Sequence, residues 1–192
     1  MKGILVGISL CALALPAVSE TQFASGLYLE SVTIEDEPAT ASRIGTSLIS
    51  LGLSGEAAWS LDGASQIALG GGFGLTGGDD EDSDEVRVRN TTTGKVETKK
   101  ESVSGLSLFA DINYRYAFHE SVRAVAGAGV VKYSLDRTVA NCSDCPNEDI
   151  ELDVGTYLKF GAIFGKNKGA EVQFRYFLAD DFASAIHATW RW

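Results

Sequence analysis

Long apolar runs are missing from this sequence once its first residues are set aside. After Ser19 there is no stretch of 18 apolar residues, which excludes a membrane-spanning helix. Basic residues are also few, since 16 Lys and Arg stand against 26 Asp and Glu, and the formal net charge is −10. This acidic balance argues against nucleic acid as a partner, because nucleic-acid binding depends on clustered basic residues.

Cysteine and histidine are scarce as well, with three and two copies in 192 residues. Cys142 and Cys145 form a C-x-x-C pair in a long connecting segment, but two Cys residues without further Cys or a nearby His make a poor zinc site. We therefore predict no metal site and no cofactor. In an oxidising compartment, we expect Cys142 and Cys145 to form a small disulfide.

The first 19 residues have the layout of a secretory signal peptide. Lys2 supplies a positive charge, the apolar run Ile4–Leu15 follows, and small residues precede Glu20. The run is too short to cross a bilayer as a helix. We expect residues 1–19 to be cleaved on export and residues 20–192 to form the mature domain.

Period-two alternation is what the sequence has in abundance. From Ile49 to Leu61 the odd positions are mostly apolar and the even positions are mostly Ser, Gly and Glu. This length exceeds the roughly 5–6 residues of a strand in a soluble sandwich and suits the roughly 9–11 of a tilted membrane strand. The pattern recurs to give eight predicted strands. On the last, Phe182 and Trp190 fall on the apolar face, whereas at 122–135 small residues fill both faces and leave the inward face open.

The connections between these strands alternate in length. Short turns are predicted near 61–65, 119–121 and 165–169, and long loops near 33–44, 76–103 and 136–152, with a shorter fourth at 179–181. Short turns at one end and long loops at the other are typical of outer-membrane barrels. We predict an all-β fold, a single eight-stranded antiparallel up-and-down transmembrane β-barrel that is monomeric.

Aromatic residues cluster beside the short turns. They are Trp59, Tyr116, Phe118, Phe164, Trp190 and Trp192. Aromatic rings of membrane barrels concentrate at the level of the lipid headgroups. We predict that these six form an outward-facing girdle at the periplasmic interface. A soluble β-sandwich, which also has one apolar face, is the alternative fold.

The polar face carries charges of both signs in mid-strand. The interior of an eight-stranded barrel is just filled by side chains, and charges inside it have to be paired. We predict a lumen charge network made of Glu56, Asp111, Glu171, Arg115, Lys159, Arg175 and Arg191. Two roles are open for it, a plug that stabilises the barrel and the gate of a narrow pore.

The chain resembles the small eight-stranded outer-membrane barrels of the OmpA/OmpX and opacity-protein type, within the porin family. The signal peptide, the strand repeats and the terminal aromatic Trp192 carry this resemblance. It implies a place in a Gram-negative outer membrane, contact with membrane lipid and lipopolysaccharide, and recognition of the C-terminal strand by the outer-membrane assembly machinery. Members of such a fold differ widely in role.

Three functions follow as expectations. The first is a non-enzymatic surface protein with a structural and adhesion role, whose long loops bind lipopolysaccharide, a host protein or a neighbouring protein. The second is a narrow channel for ions or small solutes. The third is a lipid A-modifying enzyme, because lipid A deacylases are also eight-stranded barrels and use a His-x-Ser pair. Here Thr189 replaces that Ser beside His187, and the pair faces inward near the periplasmic end, which argues against the enzyme.

The longest loop contains an acidic stretch followed by a basic one. Residues Gly77–Glu85 are rich in Asp and Glu, but their spacing does not match an EF-hand calcium loop. What this stretch leaves open is weak binding of divalent cations at the lipopolysaccharide surface. The residues that follow alternate and turn at Thr93 and Gly94. We predict a hairpin above the membrane, whose Lys and Arg side chains would contact lipopolysaccharide phosphates or a host polyanion.

Overall fold

The computed structural model describes residues 21–35, 47–78, 85–89, 94–139, 148–165, 168–179 and 181–192. The described residues form ten β-strands, namely β1 (Gln22–Ile34), β2 (Ser47–Ser60), β3 (Ser65–Gly78), β4 (Glu85–Arg89), β5 (Val96–His119), β6 (Val122–Val139), β7 (Glu148–Glu151), β8 (Gly155–Phe164), β9 (Gly169–Phe177) and β10 (Phe182–Arg191). Within these ranges there is no helix capable of crossing a membrane. The expected signal peptide, Cys142, Cys145 and the acidic residues 79–84 lie outside the described residues.

Eight of the ten strands close into a ring. Its order is β1-β2-β3-β5-β6-β8-β9-β10, all neighbours are antiparallel, and β10 pairs back onto β1 from Gly26↔Arg191 to Ile34↔Phe182. Closure pairs both edges of every strand in the ring, which is how a barrel avoids exposed edges. The prediction of an eight-stranded up-and-down barrel is confirmed.

The two remaining strands extend the sheet beyond the ring at the long-loop end. β4 pairs with the first residues of β5, from Glu85↔Lys100 to Arg89↔Val96, and β7 pairs with the last part of β6. Gly94 has a φ of 66°, a left-handed conformation suited to the turn between β4 and β5. The predicted hairpin is therefore present, and the loops expected near 76–103 and 136–152 are partly strand.

The outer surface of the ring is apolar. Large apolar side chains that are more than one third exposed include Leu27, Leu29, Leu51, Leu53, Phe73, Leu75, Leu106, Leu108, Ile112, Phe160, Phe174 and Ile186. They come from adjacent strands and form a continuous belt. Soluble monomers rarely expose apolar patches of this extent, whereas barrels in a bilayer require them. The belt therefore opposes a soluble sandwich.

Five of the six predicted girdle residues lie outward beside the short turns. Tyr116, Phe118, Phe164, Trp190 and Trp192 are between 42% and 71% exposed. The sixth, Trp59, is half-buried, so it is less exposed to the membrane than the prediction has it. The backbone N–H of Trp192 donates to the carbonyl of Ser25 at 3.0 Å, so the chain end is held against β1.

The last strand departs from the predicted pattern at its first residue. The sequence pattern places Phe182 outward, but the structure leaves it 1% exposed. The pairing of β1 with β10 shifts between Thr33↔Ser184 and Ile34↔Phe182, so the alternation changes face at this irregularity. Phe182 consequently packs inside, with ring centroids 5.3 Å from Tyr133 and 5.1 Å from Phe177.

The long-loop half of the interior is filled by apolar side chains. This loop-end apolar cluster contains Tyr28, Val32, Ile34, Leu48, Phe109, Val131, Tyr133, Leu135, Ile150, Leu152, Tyr157, Phe177, Phe182 and Ala185. β6 contributes Val131, Tyr133 and Leu135, which settles its inward face as the odd-numbered one.

Small residues on β2 and β3 make room for one of the largest rings in this cluster. A Cβ at Gly74 would collide with the hydroxyl of Tyr28 and would lie 2.7 Å from the carbonyl oxygen of Leu51. Glycine at this position therefore allows the Tyr28 ring to lie against the strand backbone. The Tyr28 ring is thereby accommodated within the loop-end apolar cluster.

Candidate functional site

Charged side chains occupy the half of the lumen nearer the short turns. Glu56 on β2 accepts two bonds from Arg115 on β5, one of them at 2.8 Å from Nη1 to Oε1. Such a forked pair is among the stronger charge-assisted contacts in proteins. Arg191 of β10 also pairs with Glu56, and its Nη1 lies 3.5 Å from Oε2 of Glu171 on β9. These four residues form the lowest layer of the network.

Asp111 on β5 is the centre of a second layer. The Nζ of Lys159 on β8 lies 2.7 Å from its Oδ2. The Asn113 amide donates to Oδ1 at 3.0 Å, and the Tyr157 hydroxyl donates to Oδ2 at 3.2 Å. All four side chains are buried, so the carboxylate charge is compensated within the barrel.

Glu30 on β1 is the centre of a third layer, directly below the loop-end apolar cluster. It pairs with Arg175 of β9, and the Tyr133 hydroxyl donates to its Oε1 at 2.8 Å. The guanidinium of Arg175 lies 4.7 Å and 4.6 Å from the ring centroids of Phe109 and Tyr157, which are cation–π distances. The layer thus joins the charged and the apolar halves of the interior.

The structure brings together all seven residues of the predicted network and adds Glu30, Tyr133 and His187 to it. Glu30 lies on the polar face of β1 and is paired in register with His187 across the closing strands, but that pairing is known only once the barrel is closed. With Glu30 included, four carboxylates, Glu30, Glu56, Asp111 and Glu171, stand against four cations, Arg115, Lys159, Arg175 and Arg191. Leaving His187 aside, the network is formally neutral.

Glu30, His187 and Thr189 form a hydrogen-bonded chain in the order acid, imidazole, hydroxyl. His187 Nδ1 lies 2.8 Å from Glu30 Oε2, and its Nε2 lies 3.0 Å from Thr189 Oγ1. This is the order of a nucleophile, base and acid in acyl hydrolases. However, the His187 ring stacks on Tyr28 at 4.9 Å, and the adjoining internal void is about 30 Å³, room for about one or two water molecules. A lipid substrate does not fit in this void. We therefore interpret the hydrogen-bonded chain of Glu30, His187 and Thr189 as part of the packed interior.

A larger cavity opens at the short-turn mouth of the lumen, and we call it the vestibule. Its volume is about 360 Å³. The charged side chains that line it are Arg115, Arg123, Lys168, Arg191 and Glu56. Glu56 and Glu171 each pair with both Arg115 and Arg191, so the inner end of the vestibule is formally neutral.

One titrating group in a short turn is held by the backbone. The Asp62 carboxylate accepts the N–H groups of Ala64 and Ser65 at 2.7 Å and 2.6 Å. These bonds favour the ionised form and lower the pKa of Asp62 below its ordinary value. They also shape the β2–β3 turn at the end where the vestibule opens.

The described residues contain no group of His, Cys, Asp or Glu side chains suited to a metal ion. Cys142, Cys145 and most of the acidic stretch lie outside those residues. The disulfide and the loose cation contact therefore stay predictions.

Comparison with solved structures identifies the fold. The crystal structure of Ail, the attachment invasion locus protein of Yersinia pestis, in complex with the heparin analogue sucrose octasulfate, is 12% identical with a TM-score of 0.54, covering 90% of this chain and 97% of Ail. A second crystal structure of Ail gives 11% and 0.47 with the same coverage. The N-terminal β-barrel domain of Pseudomonas aeruginosa OprF gives 11% and 0.38, covering 90% of this chain and 100% of that domain. No protein-family model and no curated protein matches the sequence.

Proposed function

We propose that this chain, which has the fold of a small outer-membrane barrel, is a non-enzymatic protein of the Gram-negative outer membrane with a surface-interaction role. The apolar belt contacts lipid, the short turns face the periplasm and the long loops face outward. Export requires cleavage of residues 1–19, and the barrel acts as a monomer. The observation that carries the proposal is the filled long-loop half of the lumen, because the loop-end apolar cluster there leaves the loops as the outward-facing region available to a partner.

The β4–β5 hairpin is the part of the loops that we expect to bind. Arg87 and Arg89 are exposed and lie on the same face of β4, since they are two residues apart in a strand. Lys95 is exposed in the adjoining turn. A pair of guanidinium groups on one strand face suits phosphate or sulfate groups of a polyanion. The complex of Ail with a heparin analogue supports this choice of ligand class.

A binding assay tests this role. The Arg87→Ser/Arg89→Ser double variant should bind immobilised heparin and lipopolysaccharide about tenfold more weakly than wild type at low salt, since two exposed charges that contribute up to about 1 kcal/mol each give at most about thirtyfold. Lys168→Ser, which removes a charge at the opposite mouth, is the matched control and should bind both ligands like wild type. A larger loss of affinity for heparin than for lipopolysaccharide would indicate a host polyanion as the ligand, and the opposite order would indicate lipopolysaccharide. Unchanged binding by the double variant would contradict the proposal.

A narrow channel is the second candidate, and the polar path from the vestibule through the charge network to Glu30 favours it. The loop-end apolar cluster interrupts that path before the long-loop mouth. We therefore expect purified protein in planar bilayers to show no sustained, discrete openings. Openings that change on Glu56→Ala or Arg115→Ala substitution would favour the channel instead.

The C-terminal strand carries a separate proposal about assembly. Trp192 is exposed beside the short turns, and we expect the outer-membrane assembly machinery to read it. Trp192→Ser should reduce the amount of heat-modifiable barrel in the outer membrane, whereas Phe118→Ser, which removes another exposed girdle ring, should leave the amount close to wild type. Equal losses for the two variants would assign the effect to the girdle as a whole.

A further inference from the structure

We propose that one face of the β4–β5 hairpin binds a linear anionic glycan in the water above the bilayer, out of reach of the lipid headgroups. The face contains Arg87 and Arg89 of β4, which lie directly opposite Thr98 and Val96 of β5. We call these four side chains the arginine face. The inference rests on the proposed surface role, and it narrows the ligand from any polyanion to one that stands clear of the membrane surface.

The two guanidinium groups of the arginine face have no internal counter-charge. In the part of the chain that the structure describes, the side chains of Arg87 and Arg89 make no ion pair and no hydrogen bond, and both are exposed. Their direct cross-strand neighbours, Thr98 and Val96, are exposed and uncharged. Residues two apart on a strand share a face and lie about 7 Å apart. Two positive charges at this separation, with no carboxylate between them, favour an anionic ligand.

The height of the arginine face above the barrel follows from the strand register. Ser104 is the last residue of β5 that pairs with a ring strand on the β3 side, and Leu106, two residues nearer the middle of the barrel, belongs to the apolar belt. Thr98 and Val96 lie six and eight residues beyond Ser104. At about 3.4 Å per residue and a strand tilt of about 45°, these positions stand about 14 Å and about 19 Å above Ser104.

Lipid headgroups do not extend to this height. The polar zone of each leaflet is about 5–8 Å thick, because the hydrocarbon core takes about 30 Å of a bilayer of about 40–45 Å. Side chains of a strand stand perpendicular to the sheet, so the two guanidinium groups do not recover the distance by reaching down along the strand. Segment 79–84, through which the chain passes from β3 to β4, adds five acidic residues, and these repel an anion that approaches from the ring. The ligand is therefore a polyanion that extends into the water.

The arginine face fits a chain of sugars better than a single anionic group. A ligand with two anionic groups about 7 Å apart contacts Arg87 and Arg89 without forcing their like charges together. Thr98 supplies a hydroxyl that donates and accepts, and Val96, 65% exposed, supplies an apolar contact. Sugar rings carry hydroxyl and C–H groups between their charged substituents. A sulfated or phosphorylated glycan therefore uses all four side chains of the face.

The first test measures the affinity of the barrel, in nanodiscs of zwitterionic phospholipid, for a soluble heparin tetrasaccharide. N-acetylglucosamine 6-sulfate, which has one sulfate, should bind at least about threefold more weakly, because it loses one exposed charge contact. Arg87→Ser and Arg89→Ser should each weaken binding of the tetrasaccharide by about threefold. Equal affinity for the two ligands, or a loss in only one of the two variants, would overturn the linear ligand.

The second test adds lipid A to the nanodiscs. The affinity for the tetrasaccharide should be the same as in nanodiscs that hold phosphatidylglycerol at equal anionic charge, which reproduces the surface charge without the lipid A headgroup. A lower affinity with lipid A than with phosphatidylglycerol, absent in the Arg87→Ser/Arg89→Ser variant, would show that a headgroup occupies the arginine face. That result would overturn the inference.

Lys132→Ser is the matched control, because it removes a positive charge at the level of the lipid. Lys132 is exposed on β6 and lies opposite Leu108 of the apolar belt. Its replacement should leave the affinity for the tetrasaccharide unchanged, and a loss equal to that of Arg89→Ser would overturn the assigned height. These outcomes differ from failure of the surface role itself, which unchanged binding of heparin and lipopolysaccharide by the Arg87→Ser/Arg89→Ser variant would show.

Discussion

Replacing Glu30 with Ala should destabilise the barrel more than any exposed acid does. Glu30 is 1% exposed and accepts from Arg175, Tyr133 and His187. Its removal leaves the Arg175 guanidinium, itself fully buried, without its ion-pair partner, a situation that costs about 3–5 kcal/mol. The next carboxylate, Asp111, lies 3.9 Å from Arg175 Nη2 and compensates in part. We therefore expect a loss of about 3 kcal/mol from the buried charge.

The unpaired hydroxyl of Tyr133 adds to this loss. Its bond to Glu30 is 2.8 Å long, and the loss of a typical buried hydrogen bond costs about 1 kcal/mol. The expected decrease in the free energy of unfolding is thus about 4 kcal/mol. Urea titration of the barrel in phospholipid vesicles, followed by tryptophan fluorescence, measures it. Glu35→Ala, in the exposed segment after β1, is the matched control and should change stability by less than about 0.5 kcal/mol.

A double-mutant cycle separates the charge pair from simple loss of packing. Arg175→Met keeps most of the side-chain volume and removes the cation. The loss of unfolding free energy in Glu30→Ala/Arg175→Met should therefore be smaller, by about 2 kcal/mol, than the sum of the losses in the two single variants. A single loss below about 1 kcal/mol for Glu30→Ala would refute the reasoning. Additive losses in the double variant would refute it as well, because they would show that the two groups are not energetically coupled.

Three further predictions concern glycine, the belt and a turn. Gly74→Val should block formation of the heat-modifiable barrel, because the new side chain would collide with Tyr28. Gly55→Ala, whose Cβ would meet its nearest atom at 4.0 Å, should assemble normally. Equal yields of barrel from the two variants would contradict the packing described for Tyr28. Leu53→Arg, in the middle of β2, should lower the free energy of unfolding in vesicles by about 2–4 kcal/mol. Leu61→Arg, in the turn, should lower it by about 0–1 kcal/mol. A larger loss for Leu61→Arg than for Leu53→Arg would contradict the position of the apolar belt in the bilayer. The pKa of Asp62 is lowered by backbone N–H donors, so its contribution to the turn is present above the unfolded pKa and is lost as the pH falls through the folded one; its carboxyl titration by NMR should have a midpoint below 3.8, and a higher midpoint would contradict the hydrogen bonds.

The faces of most strands could be predicted from the sequence because a strand alternates with a strict period of two. The inward positions of Asp111, Arg115 and Arg175 follow from that period alone. The face of Phe182 does not, because one skipped residue in the β1–β10 pairing reverses the alternation locally. For β6 the sequence carries small residues on both faces, and only packing against β5 and β8 assigns Val131 and Tyr133 to the interior.

The sequence predicts which charged side chains enter the lumen better than it predicts which of them pair with each other. A pattern of alternating charges tells which side chains enter the lumen, but which of them meet depends on the stagger between strands. Glu30 and Arg175 are 145 positions apart, and they meet because β10 pairs with β1 on one side and with β9, which carries Arg175, on the other. The same applies to the vestibule, whose cations come from β5, β6, β10 and the β8–β9 turn and show no common motif in the sequence.

The position of Glu30 on the first strand has a consequence for the order of assembly. Its partners Arg175 and His187 lie on the last two strands, so the chain must be almost complete before the third layer of charges can be neutralised. An open sheet that already contains Arg175 carries an unpaired cation on its inner face, which disfavours its transfer out of water. Closure of β1 onto β10 removes that penalty in one step. The barrel should therefore enter the bilayer in a late and concerted transition, with partly closed forms held back at the membrane surface.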